Sequence, residues 1–304
     1  MKIKFIIKPI LKKQKAKEFE EEFLKFKEER GNQIERVFAT ATGENNARIL
    51  AKKAIKEDFG RIIFVGGDGL LNQGVNGIME ATQGKIPNGF AIGIIPTGSG
   101  NNFAKALKIP KDIKGAFQVI KKNKTTLVDI GKVNERFFVN VVSFGFDAKV
   151  NKLANDIKEK YQFLPKEGSY LISALKEIIV KIPLFEIRIE GGETNLKQKV
   201  ITLAVNNGPS YGAIFKIAPA AVIDDGKFDI CAIESVGRIR ALLDIYKVIQ
   251  GTHINLPEVK MFKASSLIIS APEPLPYEMD GEVLEPQKEY RISVLPKLLK
   301  ILVP

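Results

Sequence analysis

The chain reads as an α/β fold: an N-terminal domain on a doubly wound parallel sheet, joined to a mainly antiparallel, β-rich second domain. Three observations predict this. Short, almost continuous apolar segments alternate with amphipathic ones up to Lys124, the pattern of parallel strands covered on both faces by helices. After Lys124 strands follow one another with turn residues at short intervals. Near the end an apolar stretch, YRISVLPKLLKILVP, suits a return to the first domain. The expected domains are therefore 1–124 with 291–304, and 125–290.

Lys2 to Ile10 reads as the first buried strand, and the Lys- and Glu-rich stretch from Lys12 to Arg30 places Phe19, Phe23 and Phe26 at helical spacing. IERVFAT is a strand ending at Thr40. A helix from about Asn45 to Glu57 then puts Ala47, Leu50, Ala51 and Ala54 on one face. RIIFV is a strand, LLNQGVNGIME a helix, and GFAIGIIP a strand leading into NNFAKAL. In the second domain TTLVDIGKVNERFFVNVVSFGFDAKV is read as strand-rich. SYLISALKEIIVKI is read as a helix capped by Gly168 and Ser169, with Leu171, Leu175, Ile178 and Ile182 sharing a face. Strands resume at LFEIRIE, KQKVITLAVNN, KFDICAIE and SLIISAPEPLPYEMDGEV, and no internal repeat or low-complexity linker interrupts them.

Composition narrows the chemistry. With 45% hydrophobic and 27% charged residues among 304, the chain is a globular protein rather than a disordered or fibrous one. Its 47 Lys plus Arg against 35 Asp plus Glu give a net charge of +12, which favours an anionic partner. The one cysteine, Cys231, excludes an internal disulfide and a Cys-based zinc site. With one histidine, His253, no multi-histidine metal site can form. Cys231 is read as a small buried hydrophobe and His253 as a loop or strand-end residue. Carboxylates and backbone amides are left to do the chemistry. No stretch approaches the roughly 20 apolar residues of a membrane-spanning helix, and the charged opening is wrong for a secretory signal. A cytoplasmic protein is expected.

The strongest pattern is RIIFVGGDGLLNQGVNG, a buried strand entering Gly66, Gly67, Asp68 and Gly69 before a helix. Glycines there let backbone amides approach a phosphate, and the helix adds free N–H groups and a positive dipole end. Asp68 can hold a metal ion or polarise a reacting group, or simply cap a tight turn. The next strand ends in a second such loop, Pro96, Thr97, Gly98, Ser99, Gly100, Asn101 and Asn102. Two glycine loops on successive strands resemble a triphosphate cradle. Neither fits the Walker pattern or the dinucleotide fingerprint.

GGDG, PTGSGNNFAKAL, VDIGKVN, APAAVIDDGKFDI and MDGE, in this order, resemble the diacylglycerol kinase catalytic family, above all its bacterial lipid kinases related to sphingosine and ceramide kinases. The resemblance implies ATP in a cleft between an α/β and a β-rich domain. Gly66, Gly67, Asp68 and Thr40 would lie at the phosphates, Thr42 standing in for Thr40 if the loop spacing shifts, and Pro96 to Asn101 would complete the cradle. It also implies a magnesium-linked acidic network of Asp68, the position of Asn102, and Asp129. Asp280 would join it, with Glu282 as the base toward a lipid hydroxyl. A second, structural magnesium is implied at Asp225 with the carbonyls of Val222 and Lys227. The implied partner is a hydroxyl lipid at a membrane surface, met peripherally by a chain with no nucleic-acid-reading motif. An exposed edge of the β domain is compatible with a homodimer.

The sequence departs from that family at Lys8-Pro9-Ile10-Leu11, where Asn-Pro is usual, so a cation that can pair with phosphate replaces an amide. Asn102 replaces an aspartate, Leu70 a frequent threonine and Gln73 a frequent glutamate. These departures motivate a rival reading, an inactive relative that holds nucleotide or acidic lipid. An NAD kinase-like enzyme shares GGDG but would need a Gly-Ser-Thr-Ala-Tyr motif that the second domain lacks. Lysines 152, 158, 160, 166, 176 and 181 around SYLISALKEIIV are read chiefly as a solvated face, with attraction to anionic membrane as the alternative.

Overall fold

Continuous apolar runs become strands covered on both faces, and apolar residues spaced by three or four become the helices that cover them. In the computed structural model the described residues are 1–9, 13–160, 166–191, 194–212 and 214–304. Ile10, Leu11 and Lys12, and the side chains of Lys158 and Lys166, lie outside them. The chain divides into two compact units, Met1–Val128 with Lys297–Pro304, and Asp129–Pro296.

In order, the first unit contains β1 (Ile3–Ile7), α1 (Lys13–Arg30), β2 (Ile34–Phe38), α2 (Ala47–Lys56), β3 (Arg61–Gly66), α3 (Asp68–Thr82), β4 (Ala91–Pro96), α4 (Asn102–Ala106) and α5 (Ile113–Lys122). The strands lie in the order β2-β1-β3-β4, all parallel. Every residue of β3 and β4 is buried, as a sheet covered on both faces requires. Phe19, Phe23 and Phe26 of α1 form the expected stripe and pack on Phe5 of β1 and Phe117 of α5, with ring centroids 5.2 to 6.0 Å apart. Helix α5 was not anticipated, although Asp112 caps it by accepting the Gly115 N–H at 2.7 Å.

The second unit holds β5 (Thr125–Val133), β6 (Arg136–Phe138), β7 (Val141–Gly145), α6 (Phe146–Lys160), α7 (Lys166–Val180), β8 (Phe185–Gly191), β9 (Thr194–Asn206), β10 (Phe228–Glu234), α8 (Arg238–Gln250), β11 (Val259–Ala264), β12 (Ser266–Met279) and most of β13 (Glu282–Leu302). The pairings within it are antiparallel. Strands β9 and β12 each pair with both β7 and β8, so these four close a ring around a core of Phe144, Leu203, Leu275, Tyr277 and Tyr290. Register shifts in β12 fall between Ser270 and Tyr277, where Pro272, Pro274 and Pro276 have no N–H for the ladder.

The fold class is as expected, with local corrections. FDAKV, read as strand, opens α6. Gly145, at φ +90°, ends β7 and turns the chain. Helix α7 begins at Lys166, so Gly168 and Ser169 lie inside it and Ser169 is buried rather than capping. Helix α8 and β11 were not anticipated. Strands β5 and β13 each run from one unit into the other, so the division falls inside strands and leaves no linker for composition to mark. The last residues of β13 return to the first unit, where Ile301 pairs with Ile92 beside β4.

The phenylalanine cluster sets a stability test. Phe117→Ala removes the ring that Phe5, Phe19 and Phe26 touch and is expected to cost about 3–5 kcal/mol in denaturant unfolding. A loss below about 1 kcal/mol would contradict the packing described.

Candidate active site

The parallel strands of the first unit end together. Ile7 stands opposite both Phe38 and Val65, and Gly66 opposite Pro96. Main-chain bonds extend this edge past the strands: Lys8 N–H to Val65 O (2.9 Å), Ala39 N–H to Ile7 O (2.8 Å) and Thr97 N–H to Gly66 O (3.1 Å). Lys8, Thr40, Gly66 and Thr97 thus share the carboxyl edge of one sheet. Its strand order reverses between β1 and β3, where open α/β sheets bind ligands. Lys8, Thr40 and Thr42 are exposed there, and Thr40 Oγ1 donates to the Thr42 carbonyl at 2.7 Å.

The two glycine loops touch backbone to backbone. A Cβ on Gly98 would stand 2.5 Å from Gly67 Cα, and one on Gly67 would stand 3.2 Å from Gly98 Cα. Asp68, the first residue of α3, fastens them: its Oδ2 accepts Asn102 N–H (2.9 Å) and Nδ2–H (3.2 Å), and its Oδ1 accepts Phe103 N–H (3.1 Å). Asn101, left-handed at φ +50°, donates Nδ2–H to Gly98 O at 2.7 Å. No side chain caps the start of α3, which leaves its N-terminal amides to an anion. A Cβ on Gly69 would meet open space, so no protein atom crowds the side from which a phosphate is expected to approach. Ser99 is exposed and Thr97 half-buried. The buried Oδ1 atoms of Asn101 and Asn102 have no hydrogen-bond donor among the described residues. Free amides, a cradle a methyl group would fill and unused acceptor oxygens fit a phosphate-bearing group with its cation.

In the second unit Asp280 and Gly281, at φ +50° and +90°, make the two-residue turn between β12 and β13. The Asp280 carboxylate accepts backbone N–H from Val139 (2.7 Å), Asn140 (3.0 Å) and Val141 (2.9 Å), so it acts as a clamp on the entry to β7. Asp129 is fully buried and accepts Gly226 N–H at 2.7 Å, while its carbonyl and that of Val139 accept the two amide hydrogens of Asn207 at 3.0 and 2.8 Å. Asp129 and Asp280 are thus joined through one loop. Glu282 lies two residues beyond Asp280, half exposed, with both carboxylate oxygens 3.2 and 3.3 Å from Arg136 Nη2.

Asp225 sits in an exposed turn whose Gly226 is left-handed at φ +72°. Its Oδ1 accepts Lys227 N–H at 3.0 Å, and Lys263 Nζ lies 2.9 Å from its Oδ2 and 3.0 Å from Asp229. These contacts raise the Lys263 pKa. The turn, with exposed Val222 and Lys227 beside it, already holds a counter-ion. A divalent cation there would have to displace Lys263 from two carboxylates.

Sequence reasoning missed a cavity of about 130 Å³ under α6, α7 and α8. It is lined by Val150, Ala174, Ile178, Ile245 and Val248, and it has a polar group of Asp147, Tyr170 and Tyr211. Ser143 Oγ–H donates to Asp147 Oδ2 at 2.5 Å. Burial raises the Asp147 pKa above the usual carboxylate range, against hydrogen bonds from Ser143 and Tyr211 that lower it. Burial, then nearby carboxylates, raises the pKa of both tyrosines well above their ordinary value, so they stay O–H donors. Nearby, buried Glu278 accepts Asn151 Nδ2–H at 3.2 Å and Gly281 N–H at 2.8 Å. The available signal was a carboxylate, Asp147, directly after a buried apolar strand. His253 also lines the cavity, held below its usual pKa by burial, and burial pushes the Cys231 thiol up to about 12, an inert group.

Two outcomes follow from these contacts. Gly98→Ala is expected to force the loops apart, costing roughly 1–3 kcal/mol in thermal unfolding and removing activity; wild-type values for both would sink the contact. The raised pKa of Asp147 means that the folded state holds its proton more tightly than the unfolded chain. The contribution is present below the unfolded value of about 3.9 and is lost as pH rises through the folded value. The stability of Asp147→Asn relative to the parent should therefore be greater at pH 7.5 than at pH 4, and a pH-independent difference would contradict it.

Comparison with known proteins agrees with this architecture. Residues 2–133 match the diacylglycerol kinase catalytic domain, and residues 140–303 the YegS C-terminal NAD kinase beta sandwich-like domain. The diacylglycerol kinase of Staphylococcus haemolyticus is 33% identical over 244 residues, covering 79% of this chain and 70% of that protein. That of Staphylococcus carnosus is 32% identical over 242 residues, covering 78% and 74%. The crystal structure of a diacylglycerol kinase from Bacillus anthracis str. Sterne superposes over 100% of this chain and 97% of that one, with a TM-score of 0.78 at 21% identity. The chain belongs to the diacylglycerol kinase family of lipid kinases.

Proposed function

We propose that this kinase moves the γ-phosphoryl group of ATP to the hydroxyl of a membrane lipid of the diacylglycerol or sphingoid class. The observation that carries the nucleotide half is the Gly67–Gly98 contact locked by Asp68, which leaves a tight, amide-lined cradle at the carboxyl edge of the sheet. Bound ATP with magnesium supplies the transferable phosphoryl group and screens its charge. Gly67, Thr97, Gly98 and the uncapped start of α3 would hold the phosphates, with Lys8 as an added cation, and Asn101 and Asn102 would supply oxygens toward the cation. Asp68 orders this loop pair through three hydrogen bonds.

Such transfer needs mostly positioning and charge stabilisation, so a chain whose sole histidine is buried is no obstacle. Glu282 is the group assigned to accept the hydroxyl proton: it is a solvent-reaching carboxylate, and Arg136 fixes its direction. Asp280 positions it by holding the turn from which it projects. The apolar cavity with hydroxyl donors in its wall supports a lipid acceptor over a water-soluble one such as NAD.

The test incubates the protein with labelled ATP and either a total lipid extract or NAD, then separates products by chromatography. Label is expected in one lipid class. Glu282→Ala should lower turnover by roughly 10²-fold or more while unfolding as the parent does, and Asp68→Ala should lower it as much while also losing about 1–3 kcal/mol of stability, because three N–H donors lose their acceptor. Full turnover in either variant, or label in NAD alone, would refute the assignment.

A further inference from the structure

Glu278 is only 1% exposed, and the proposed transfer gives it no task. It stands on β12 opposite Ser143 of β7, on the sheet face that α6 covers, while its neighbours Tyr277 and Met279 point into the ring core. A buried carboxylate is costly where an apolar side chain of similar volume would fit, so its hydrogen bonds say what it does. The first of them goes to the Asp280–Gly281 turn. Met279 and Glu282 close the β12–β13 ladder, which leaves the two N–H groups of the turn without a ladder partner. Asp280 N–H goes to Val141 O at 3.0 Å, and Gly281 N–H goes to Glu278 Oε2 at 2.8 Å. The same oxygen accepts Asn151 Nδ2–H from α6 at 3.2 Å. Glu282 follows Gly281 directly, so these bonds fix the stem from which it projects toward Arg136.

On its other side Glu278 adjoins the polar end of the cavity. Its cross-strand partner Ser143 donates to Asp147 at 2.5 Å, and Asp147 lines the cavity with Tyr170 and Tyr211. Burial first, and then the charges of Glu278 and Asp147, raise the pKa of both phenols, which puts Glu278 close behind them. A second tie runs in parallel. Asn140 Nδ2–H donates to the carbonyl of Ser210, next to Tyr211, at 2.7 Å, while Asn140 N–H donates to Asp280 at 3.0 Å. The polar end of the cavity is therefore bonded to both residues of the turn, through Asn140 to Asp280 and through Glu278 to Gly281.

We infer that Glu278 is a positioning residue: its carboxylate ties the polar end of the cavity to the Asp280–Gly281 turn and so sets where Glu282 stands relative to an acceptor held in the cavity. The inference rests on the assignment of Glu282 as proton acceptor and deepens it. Fastening of this kind acts on rate, because a misplacement of about 1 Å at a reacting group can cost about 10²-fold. Glu278 stands behind the lining side chains rather than among them, so its loss is expected in turnover and not in nucleotide affinity.

The test compares Glu278→Met, which fills similar space without an acceptor, with Glu278→Gln, whose amide oxygen can take both N–H donors. Turnover is read with labelled ATP and a total lipid extract. The state of the turn is read separately, as amide exchange at Gly281 by NMR on the full chain without nucleotide or lipid. Glu278→Met is expected to speed that exchange by roughly tenfold or more and to lower kcat by roughly tenfold or more, with KM for ATP within about twofold of the parent. Glu278→Gln should rescue exchange and kcat to within about twofold. In a Glu282→Ala background, Glu278→Met should cost less than about twofold further, because it acts through that residue. Parent-like exchange at Gly281 in folded Glu278→Met would overturn the inference, as would multiplying losses in the double variant. So would a Glu278→Gln protein as impaired as Glu278→Met, and this comparison with the parent still decides if Glu278→Met does not fold. A parent that labels no lipid, or full turnover in Glu282→Ala, would count against the transfer reading, and exchange at Gly281 would then decide the positioning by itself.

Discussion

Two α-carbons that leave no room for a methyl group between them decide the geometry of the candidate cradle. Gly67 and Gly98 come from loops more than thirty residues apart, and Asp68 holds them together by taking three N–H donors from the start of α4. Its carboxylate therefore has a structural task before any role in chemistry, with one of about four acceptor sites left over. Asn102 fits the same scheme. Its side-chain amide donates to Asp68, where an aspartate would set two carboxylates side by side. The departure that reads as a lost metal ligand is also a gained stitch between loops.

The second unit uses a comparable economy. Asp280 occupies the first left-handed position of a two-residue turn and spends its carboxylate on three amides ahead of β7. Asp129 spends part of its own on the Asp225–Gly226 turn. Motif carboxylates here are mostly fasteners, and Glu282 differs because its partner is an arginine at the surface rather than main chain. That contrast, rather than motif membership, is what supports it as the base of the proposed transfer.

Much of this was legible from residue order. Glycine pairs at strand ends, buried runs such as RIIFV and the Phe19–Phe23–Phe26 stripe each encode a local physical demand that the fold meets directly. The missed elements have local signals that mislead. FDAKV follows a β-like run directly, with only the left-handed Gly145 between them to turn the chain, and no side chain caps α8, whose two apolar faces blur its single-face period. The cavity needs contacts among α6, α7, α8 and the sheet, and Asp147 is identifiable only once those contacts bury it. Likewise Glu278 and Asn151 are 127 positions apart, so no spacing rule finds the pair.

Strand β13 carries one more implication. Its last turns of chain, around Leu299, Ile301 and Leu302, are buried beside β4, which was completed two hundred residues earlier. During synthesis the outer flank of β4 therefore stays unpaired until residues 299–302 have also been made, an interval of roughly ten seconds or more at ordinary elongation speed. A nascent chain with an open, wholly apolar strand edge is exposed to pairing with other chains, and slowing translation over the second unit would lengthen that exposure without altering a single contact of the finished molecule.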